Sequence, residues 1–270
     1  LHLYQFYLFY KMTMKMIKYL GVILLICSWP MGQDLTVSEI MKNVYQLPKP
    51  NTSIMEIKLE ITRIKRKKEK VKVREFTRFE KFYDSGKYSS KSLARFQKPK
   101  IVKGTGLLSW VYRSGKTDQW FFLPKLKKVK RVKAKEKSKS FLNTDFIYED
   151  LESRKLGTDS LASLGTEYLD GSQCRVIMAW PKKESSYFSR KIWVNTQSWQ
   201  ICKVEYYTSE SKKEKTLILA DFIEKNGFVT PGRMIMEKEN GNKTVMIINS
   251  YKPDIGLKEE IFTKSFLIKI

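Results

Sequence analysis

Hydrophobic and polar residues alternate over most of the chain, and this period of two is the feature that most limits its fold. In segment 55–61 the odd positions are Met, Ile, Leu and Ile, whereas the even positions are Glu, Lys and Glu. Such alternation is typical of a β-strand with one buried and one solvated face. Related patterns predict strands at 70–82, 87–96, 107–113, 119–123, 127–133, 173–180, 188–194, 200–207, 215–223, 228–238 and 243–251.

Short turn sequences separate these segments. Asp84-Ser85-Gly86, Asn226-Gly227 and Asn240-Gly241-Asn242 have the composition of tight hairpin turns. About a dozen strands joined in this way form an antiparallel meander, which has to curl or close in order to bury its apolar face. We therefore predict a mainly β protein built on a curled antiparallel sheet.

Two segments do not follow this alternation. Thr36-Val37-Ser38-Glu39 reads as a capping box, and apolar residues at helical spacing follow as far as Tyr45. We expect one helix there, which Leu47-Pro48-Lys49-Pro50 ends. Residues 134–165 are irregular and rich in Ser, Lys and Asp. A long loop inside a compact β fold usually serves function or covers a ligand.

The N-terminal residues predict export. A start near Met14 places Lys15 and Lys18 before the apolar run 19–29, which is the pattern of a secretory signal peptide. This run is shorter than the roughly 20 apolar residues of a transmembrane helix. We expect residues 1–32 to be an upstream extension plus a cleaved signal, and residues 33–270 to form one mature domain.

Cys27 raises the alternative that the protein is anchored to a membrane by a lipid. Leu24-Leu25-Ile26-Cys27 is similar to a bacterial lipobox, in which the residue before the cysteine is normally small. Because Ile26 is large, we favour a cleaved, unanchored protein over one that is lipid-anchored through Cys27.

Histidine usage limits the chemistry of the mature domain. His2 is the only histidine and lies ahead of the expected mature N-terminus. A Ser-His-Asp triad and an ordinary zinc site are therefore excluded. We predict no catalytic residues, no metal and no cofactor.

The charge of the chain favours an anionic partner. Its 52 Lys and Arg exceed its 28 Asp and Glu by 24. Basic segments at 125–139 and 63–74 suit lipid headgroups or an acidic protein, or else are solvated faces of a lysine-rich protein. Export and the lack of zinc-finger, RRM or KH signatures argue against nucleic acid.

Two further sets of residues leave alternatives open. Asp145, Glu149 and Asp150 suit a general acid and base or a Ca²⁺ site, or else they cap a short helical turn and pair with nearby lysines. Cys174 and Cys202 fall on separate predicted strands, so they either form a disulfide or serve as two small buried hydrophobes.

Large apolar residues suggest a ligand cavity. A curled sheet of this size has a concave face that one short helix and one loop are too small to fill. Aromatic and aliphatic side chains lining the remaining space would suit acyl chains.

Three motifs then carry a resemblance to a known bacterial group. These are Asp118-Gln119-Trp120-Phe121-Phe122-Leu123-Pro124, the basic Leu126 to Val132, and the loop Lys137 to Leu151. The chain resembles the LolA-like outer-membrane lipoprotein-sorting family over essentially its whole mature length. It departs from the family pattern at Leu142-Asn143-Thr144 and at Ile147, which make the loop bulkier.

The resemblance implies an unclosed β-barrel, with short helices and a long loop that cover an apolar concave face. It further implies a periplasmic carrier for acyl chains of lipids or lipoproteins. Such a carrier would meet the membrane transiently and work beside an RND-type transporter or lipoprotein export machinery. We expect a monomer without enzymatic activity in which the loop from Ser140 to Leu151 is the gate.

Site residues are predicted from the strand motifs and the loop. The predicted headgroup or partner docking residues are Lys127, Lys128, Lys130 and Arg131. An envelope scaffold or sensor that binds a protein is the alternative function, and a hydrolase using the loop carboxylates is a weaker one. The predicted cavity residues are Trp110, Trp120, Phe122, Phe141, Phe146, Tyr148 and Trp193.

Overall fold

Thirteen antiparallel strands form a single sheet in a computed structural model, which describes residues 35–133, 136–152, 154 and 156–269. The predicted signal and Cys27 lie outside the described residues. The strands are β1 Thr52–Lys65, β2 Lys68–Phe82, β3 Tyr88–Lys98, β4 Gly106–Tyr112, β5 Thr117–Leu123, β6 Lys128–Arg131, β7 Asp159–Leu169, β8 Ser172–Pro181, β9 Ser189–Asn195, β10 Ile201–Tyr207, β11 Lys213–Lys225, β12 Phe228–Lys238 and β13 Lys243–Pro253.

The sheet is open along one side. Its strand order is β6-β5-β4-β3-β2-β1-β13-β12-β11-β10-β9-β8-β7, so β6 and β7 are the two edges. Every strand pairs with its neighbours in sequence, except that β6 does not pair with β7. The chain passes from one edge to the other between β6 and β7, and β1 pairs with β13. The predicted mainly β fold with an unclosed antiparallel sheet is confirmed.

Strand β7 is the one strand that the sequence pattern missed. Asp159–Leu169 lies partly in the segment 134–165 that we interpreted as irregular. Most of its residues are exposed on both faces because it is an edge strand, so no apolar alternation marks it. A register shift between Ser163 and Thr166 breaks the pattern further.

Helix α1, Val37–Tyr45, is present where the sequence predicts a helix. Ile40 and Met41 are buried and belong to the main core, and Val37, Val44 and Tyr45 pack against it. The apolar stripe of the helix therefore faces the sheet. No helix among the described residues is both long and apolar enough to cross a membrane.

The main core defines the concave face of the sheet. In the strands β2 to β5, Phe76, Phe96, Leu107 and Phe121 point into this core. The residues next to them point to the opposite, convex face, where a second cluster forms from Leu93, Leu108, Trp120, Phe122, Phe262 and Leu267.

The C-terminal segment covers this second cluster. A 3-10 turn, Glu259–Phe262, leads into α2, Lys264–Ile268, where Thr263 Oγ1 accepts a hydrogen bond from Phe266 N at 3.1 Å. Trp110 Nε1 donates to Phe262 O at 2.8 Å. Gly106 permits close packing here, because a Cβ at this position would lie 2.6 Å from Leu267 Cδ1.

The burial of the C-terminal segment predicts its contribution to stability. We expect Leu267→Ala to lower the free energy of unfolding by about 2–5 kcal/mol, because Leu267 is fully buried. Ile268 is 50% exposed, and Ile268→Ala is the control, expected to change it by less than about 0.5 kcal/mol. Urea unfolding followed by tryptophan fluorescence measures both values. Equal effects would contradict the placement of this segment.

Candidate functional site

A covering loop, residues 140–152, crosses the concave face. It begins as a tight turn in which Phe141 N donates to Phe146 O at 2.8 Å, beside an isolated bridge between Ser140 and Ile147. Leu142 and Asn143 have φ of 49° and 58°. Both residues therefore occupy the left-handed region, which only glycine adopts without steric cost. The loop then forms a 3-10 turn, Tyr148–Leu151.

Three of the predicted cavity residues lie on this loop and face the core. Phe141 and Phe146 are buried, and Tyr148 packs against the same core. The ring centroid of Phe141 is 6.2 Å from that of Phe96 and 5.6 Å from that of Tyr148. Tyr148 also meets Phe121 edge to face at 6.5 Å. The loop therefore packs its own aromatic side chains onto the concave face.

The other four predicted cavity residues lie on the convex face. Trp120 and Phe122 are buried in the second cluster, and Trp110 packs against it. Trp193 packs with Cys174 and lines neither of the two cavities described below. This placement differs from the prediction. Neighbouring residues of a strand point to opposite faces of the sheet, so an error of one residue in choosing the inward-facing positions selects the residues of the wrong face.

The first attachment of the covering loop is near Asp145. Arg63 Nη1 and Thr244 Oγ1 each donate to Asp145 Oδ2 at 2.7 Å. Asp145 N in turn donates to Thr244 Oγ1 at 3.0 Å. Arg63 also donates to the carbonyl of Asn143, and Arg74 donates to that of Leu142. Strands β1, β2 and β13 therefore all hold this end of the loop.

A buried ion pair makes the second attachment. Lys215 Nζ on β11 lies 2.5 Å from Asp150 Oδ2, and both side chains are 2% exposed. The ammonium also donates to Asp145 O at 3.0 Å, and Tyr187 OH donates to Asp150 Oδ1 at 2.7 Å. Burial lowers the pKa of Lys215, and the nearby Asp150 carboxylate opposes this effect.

The third attachment joins the loop to the edge of the sheet. Ser185 Oγ and Ser186 N donate to the Glu149 carboxylate at 2.5 and 2.7 Å. Arg154 donates to Glu149 at 2.8 Å and to Asp159 at 3.2 Å. Burial raises the pKa of Glu149, but these hydrogen bonds and the Arg154 charge outweigh it, so the pKa lies below its ordinary value.

These contacts bear on the chemistry considered for the loop carboxylates. Asp145, Glu149 and Asp150 all accept hydrogen bonds from side chains that fix the loop. The capping and pairing interpretation fits Asp150, which caps the turn by accepting from Ile147 N and pairs with Lys215, whereas Asp145 and Glu149 pair with Arg63 and Arg154. The described residues also contain no group of three or more His, Cys, Asp or Glu side chains suited to hold a metal ion.

The larger cavity lies between the loop, α1 and strands β9 to β11. Its volume is about 250 Å³. Its apolar wall includes Met41, Ile192, Ile201, Val204, Leu217 and Leu219.

Charged residues form the other end of this cavity. Arg190 lines it with Arg154 and Glu149, and Arg190 Nη2 lies 2.7 Å from Asp159 Oδ1. Arg190 Nε is buried and has no hydrogen-bond partner among the described residues. The cavity is thus apolar along one wall and hydrogen-bonding at one end.

A smaller cavity of about 40 Å³ lies on the other side of the loop. Phe141 and Leu151 line it together with Phe76, Leu107 and other residues of β1 to β4. Asp150 lines the larger cavity and Leu151 the smaller one. The 3-10 turn of the loop therefore divides the space on the concave face in two.

The two cysteines are free thiols in this structure. Cys174 is fully buried, and burial raises the pKa of its thiol to about 11. Cys174 thus fits the interpretation as a small buried hydrophobe, whereas Cys202 is only partly buried.

The predicted docking residues form an exposed basic edge. Lys128, Lys130 and Arg131 lie on β6, all of it exposed, and Lys127 is in the turn before it. Two of the four side chains are paired, Lys130 with Glu136 at 2.7 Å and Arg131 with Asp118 at 2.5 Å. These ion pairs reduce the net charge that the edge offers to a partner.

Comparisons with known proteins identify the family. A family model described as "Uncharacterized protein" matches residues 88–269, more than half of the chain. The chain is similar to the crystal structure of a domain from Vibrio parahaemolyticus described as an outer membrane lipoprotein-sorting protein. The TM-score is 0.80 at 25% identity, over 86% of this chain and 98% of that chain. The chain belongs to the family that the matching family model describes, and it has the LolA-like fold of the lipoprotein-sorting domain.

Two further structures agree with this assignment. A DUF1329 family protein from Desulfovibrio piger gives a TM-score of 0.79 at 26% identity, over 85% of this chain and 97% of that chain. A LolA superfamily protein from Nitrosomonas europaea gives 0.66 at 21% identity, over 86% and 100%, which shows a common fold. A comparison with curated proteins finds no match.

Sequence reasoning missed the residues that line the larger cavity of this LolA-like chain. Met41, Ile192, Val204 and Leu217 lie on α1, β9, β10 and β11. All four belong to segments that were predicted correctly, and alternation identified their strands without saying which face turns inward. Arg190 gave no signal, because a lone arginine in a strand normally faces solvent.

The buried ion pair predicts how strongly the loop depends on Lys215. We expect Lys215→Met to lower the free energy of unfolding by about 3–5 kcal/mol, because it leaves the Asp150 carboxylate buried without its cation. Lys213→Met removes a more exposed cation, paired with Glu239 at 3.2 Å, and should cost less than about 1 kcal/mol. Urea unfolding distinguishes them, and a Lys215→Met loss no larger than that of Lys213→Met would contradict this role.

Proposed function

We propose that this chain is a periplasmic, non-enzymatic carrier that binds acyl chains of lipids or lipoproteins on its concave face and passes them on. The observation that supports the proposal most is the larger cavity, which has an apolar wall and lies beneath a loop attached by polar contacts. Burial of methylene groups contributes about 0.8 kcal/mol each, so such a cavity gains affinity from chain length without needing a specific headgroup.

The volume of the cavity limits what fits with the loop in place. Its 250 Å³ exceeds the roughly 150 Å³ cavity that holds benzene, and falls just below the 300–1,000 Å³ typical of ligand pockets. It therefore suits part of one acyl chain. A cargo with several chains requires the space that Phe141, Phe146 and Tyr148 now fill.

The covering loop is then the gate. Its aromatic side chains occupy the concave face when cargo is absent, and cargo replaces them when the loop lifts. Cargo binding exchanges the apolar contacts of the loop for those of the acyl chain, so the net free energy of binding is small. Loading and release are therefore both feasible. The three polar attachments set the cost of lifting, since each has to exchange its protein partner for water.

The charged end of the cavity suits the polar part of a cargo molecule. Arg190 Nε offers a buried N–H donor without an acceptor. An ester or amide oxygen next to an acyl chain would accept this bond while the chain lies along Leu217 and Leu219. Leaving such a donor unpaired costs about 1–3 kcal/mol, which the cargo would recover.

Transfer requires a partner, and the basic edge at Lys127, Lys128, Lys130 and Arg131 is the proposed docking surface. It would meet an acidic protein surface, such as one on an RND-type transporter or on lipoprotein export machinery. We propose that the protein does this as a monomer, without cofactor or nucleic acid.

Neighbouring residues on β11 provide a matched test of the cavity. Leu217 lines it and Ile218 does not, although both are half-buried. We expect Leu217→Gln to weaken binding of a fluorescent fatty acid at least about tenfold, because it places an amide against the chain. Ile218→Gln should leave the affinity within about threefold of the unchanged protein.

Fluorescence titration gives both affinities. Equal losses in the two variants would show that the probe binds elsewhere. If the unchanged protein takes up neither fatty acid nor a lipopeptide, the carrier proposal is wrong. The alternative of a scaffold or sensor that binds a protein partner would then be favoured.

A further inference from the structure

The end of the β1–β2 hairpin is a regular ribbon that stands clear of the core. Every residue from Ile64 to Val73 is exposed, and we call this segment the hairpin tip. Arg66 and Lys67 form its turn with φ of 50° and 60°, the positive pair of a tight hairpin turn. Pairing continues without a shift to Lys65 opposite Lys68. The side chains of the tip are therefore held on defined faces.

One face of the tip is cationic. Residues opposite each other in an antiparallel pair share a face. Lys65 lies opposite Lys68, and Lys70 lies opposite Arg63. Lys72 lies opposite the buried Ile61, which places this row on the concave side. The basic composition that marks segment 63–74 in the sequence is thus concentrated on one side of the ribbon and at its turn.

The other face of the tip is mainly apolar. Ile64, Val71 and Val73 alternate with the lysines and are 48%, 50% and 43% exposed. Glu69, opposite Ile64, is the one acidic residue of the tip. Three β-branched residues that stay half-exposed on one face make the tip amphipathic.

The cations of the tip form no ion pairs with other described residues. The ion pairs found in the described residues include none from Lys65 to Lys72, whereas Lys130 and Arg131 of the basic edge pair with Glu136 and Asp118. Six cations against one acid therefore face solvent at the tip. Of the two basic segments in the sequence, this one presents more unpaired charge.

We propose that the hairpin tip binds the surface of an anionic lipid bilayer. Exposed apolar side chains beside a cluster of Lys and Arg are what an interfacial membrane element requires. Each cation near an anionic surface contributes about 1 kcal/mol. A bilayer needs no geometric match to a row of lysines, whereas a protein partner would need carboxylates at matching positions.

The position of the tip connects it to the gate. Arg63 and Arg74 flank the tip, and they are the residues that hold the turn at Leu142 and Asn143. A bilayer bound at the tip thus lies beside the first attachment of the covering loop. The surface itself does not depend on the cavity, so its test needs no cargo and is independent of the carrier proposal.

Two variants that lose equal charge test the proposal. One replaces Lys65, Lys67, Lys68 and Lys70 with Gln, and the matched control replaces Lys127, Lys128, Lys130 and Arg131 with Gln. All eight positions are exposed, and circular dichroism checks that both variants fold. Binding is measured by co-sedimentation with phosphatidylcholine vesicles that contain or lack phosphatidylglycerol.

We expect the mature protein to bind only the anionic vesicles. The tip variant should lose about a hundredfold in affinity or more, and the edge variant less than about tenfold. Equal losses would mean that total charge acts without a defined surface, which would overturn the proposal. Failure of the unchanged protein to bind the anionic vesicles would overturn it too, and binding to poly-glutamate instead would assign the tip to an acidic protein.

A third variant tests the apolar face of the tip. Ile64, Val71 and Val73 are replaced together with Ser, which leaves every charge in place. We expect this variant to retain initial attraction at low salt and to lose at least about tenfold in affinity at physiological salt, where charge is screened. Unchanged affinity at both salt concentrations would contradict a role for these side chains.

Discussion

The apolar concave face of an open sheet has to be kept from water, and the rest of the structure follows from that constraint. In a closed barrel, side chains from the strands fill the interior. Here β6 and β7 do not pair, so the sheet stays open. Helix α1 covers part of the face with Ile40 and Met41, and the covering loop supplies Phe141 and Phe146. The convex face has its own cover in α2, so each side of the sheet is closed by a separate segment.

Both covers combine buried side chains with polar contacts. The C-terminal segment is held by the buried side chains of Phe262 and Leu267, and Arg95 donates hydrogen bonds to the carbonyls of Phe266 and Lys269. The covering loop adds three polar attachments, centred on Asp145, Asp150 and Glu149. Polar contacts can exchange for water one at a time, whereas a packed apolar segment has to lose its burial at once. In the carrier that we propose, these attachments let the loop cover the cavity and still open.

The resemblance to the family, and not the alternation, implied that the sheet is unclosed. Helical spacing was sufficient to place α1, and alternation in the sequence was sufficient to predict an antiparallel meander, because both depend on local periodicity. It missed β7, whose residues are exposed on both faces, and it did not say which side of β4, β5 and β9 turns inward. Trp110, Trp120, Phe122 and Trp193 were expected on the concave face for that reason and lie on the convex one. The loop aromatics need no strand register to be located, and they pack onto the concave face, where Phe141 lines the smaller cavity. The pairing of Lys215 with Asp150 joins residues far apart in the chain, so no local pattern indicates it.

The central claim is that the concave face exchanges the loop's own side chains for acyl chains. Native mass spectrometry of the mature protein, purified without detergent from cells that export it, tests this claim most directly when bound molecules are extracted and identified. The account predicts a fraction of the protein carrying a stoichiometric lipid or acylated peptide, which Leu217→Gln removes and Ile218→Gln retains. A protein that is free of lipid after purification, and that stays so after incubation with phospholipid and lipopeptide, would contradict the account.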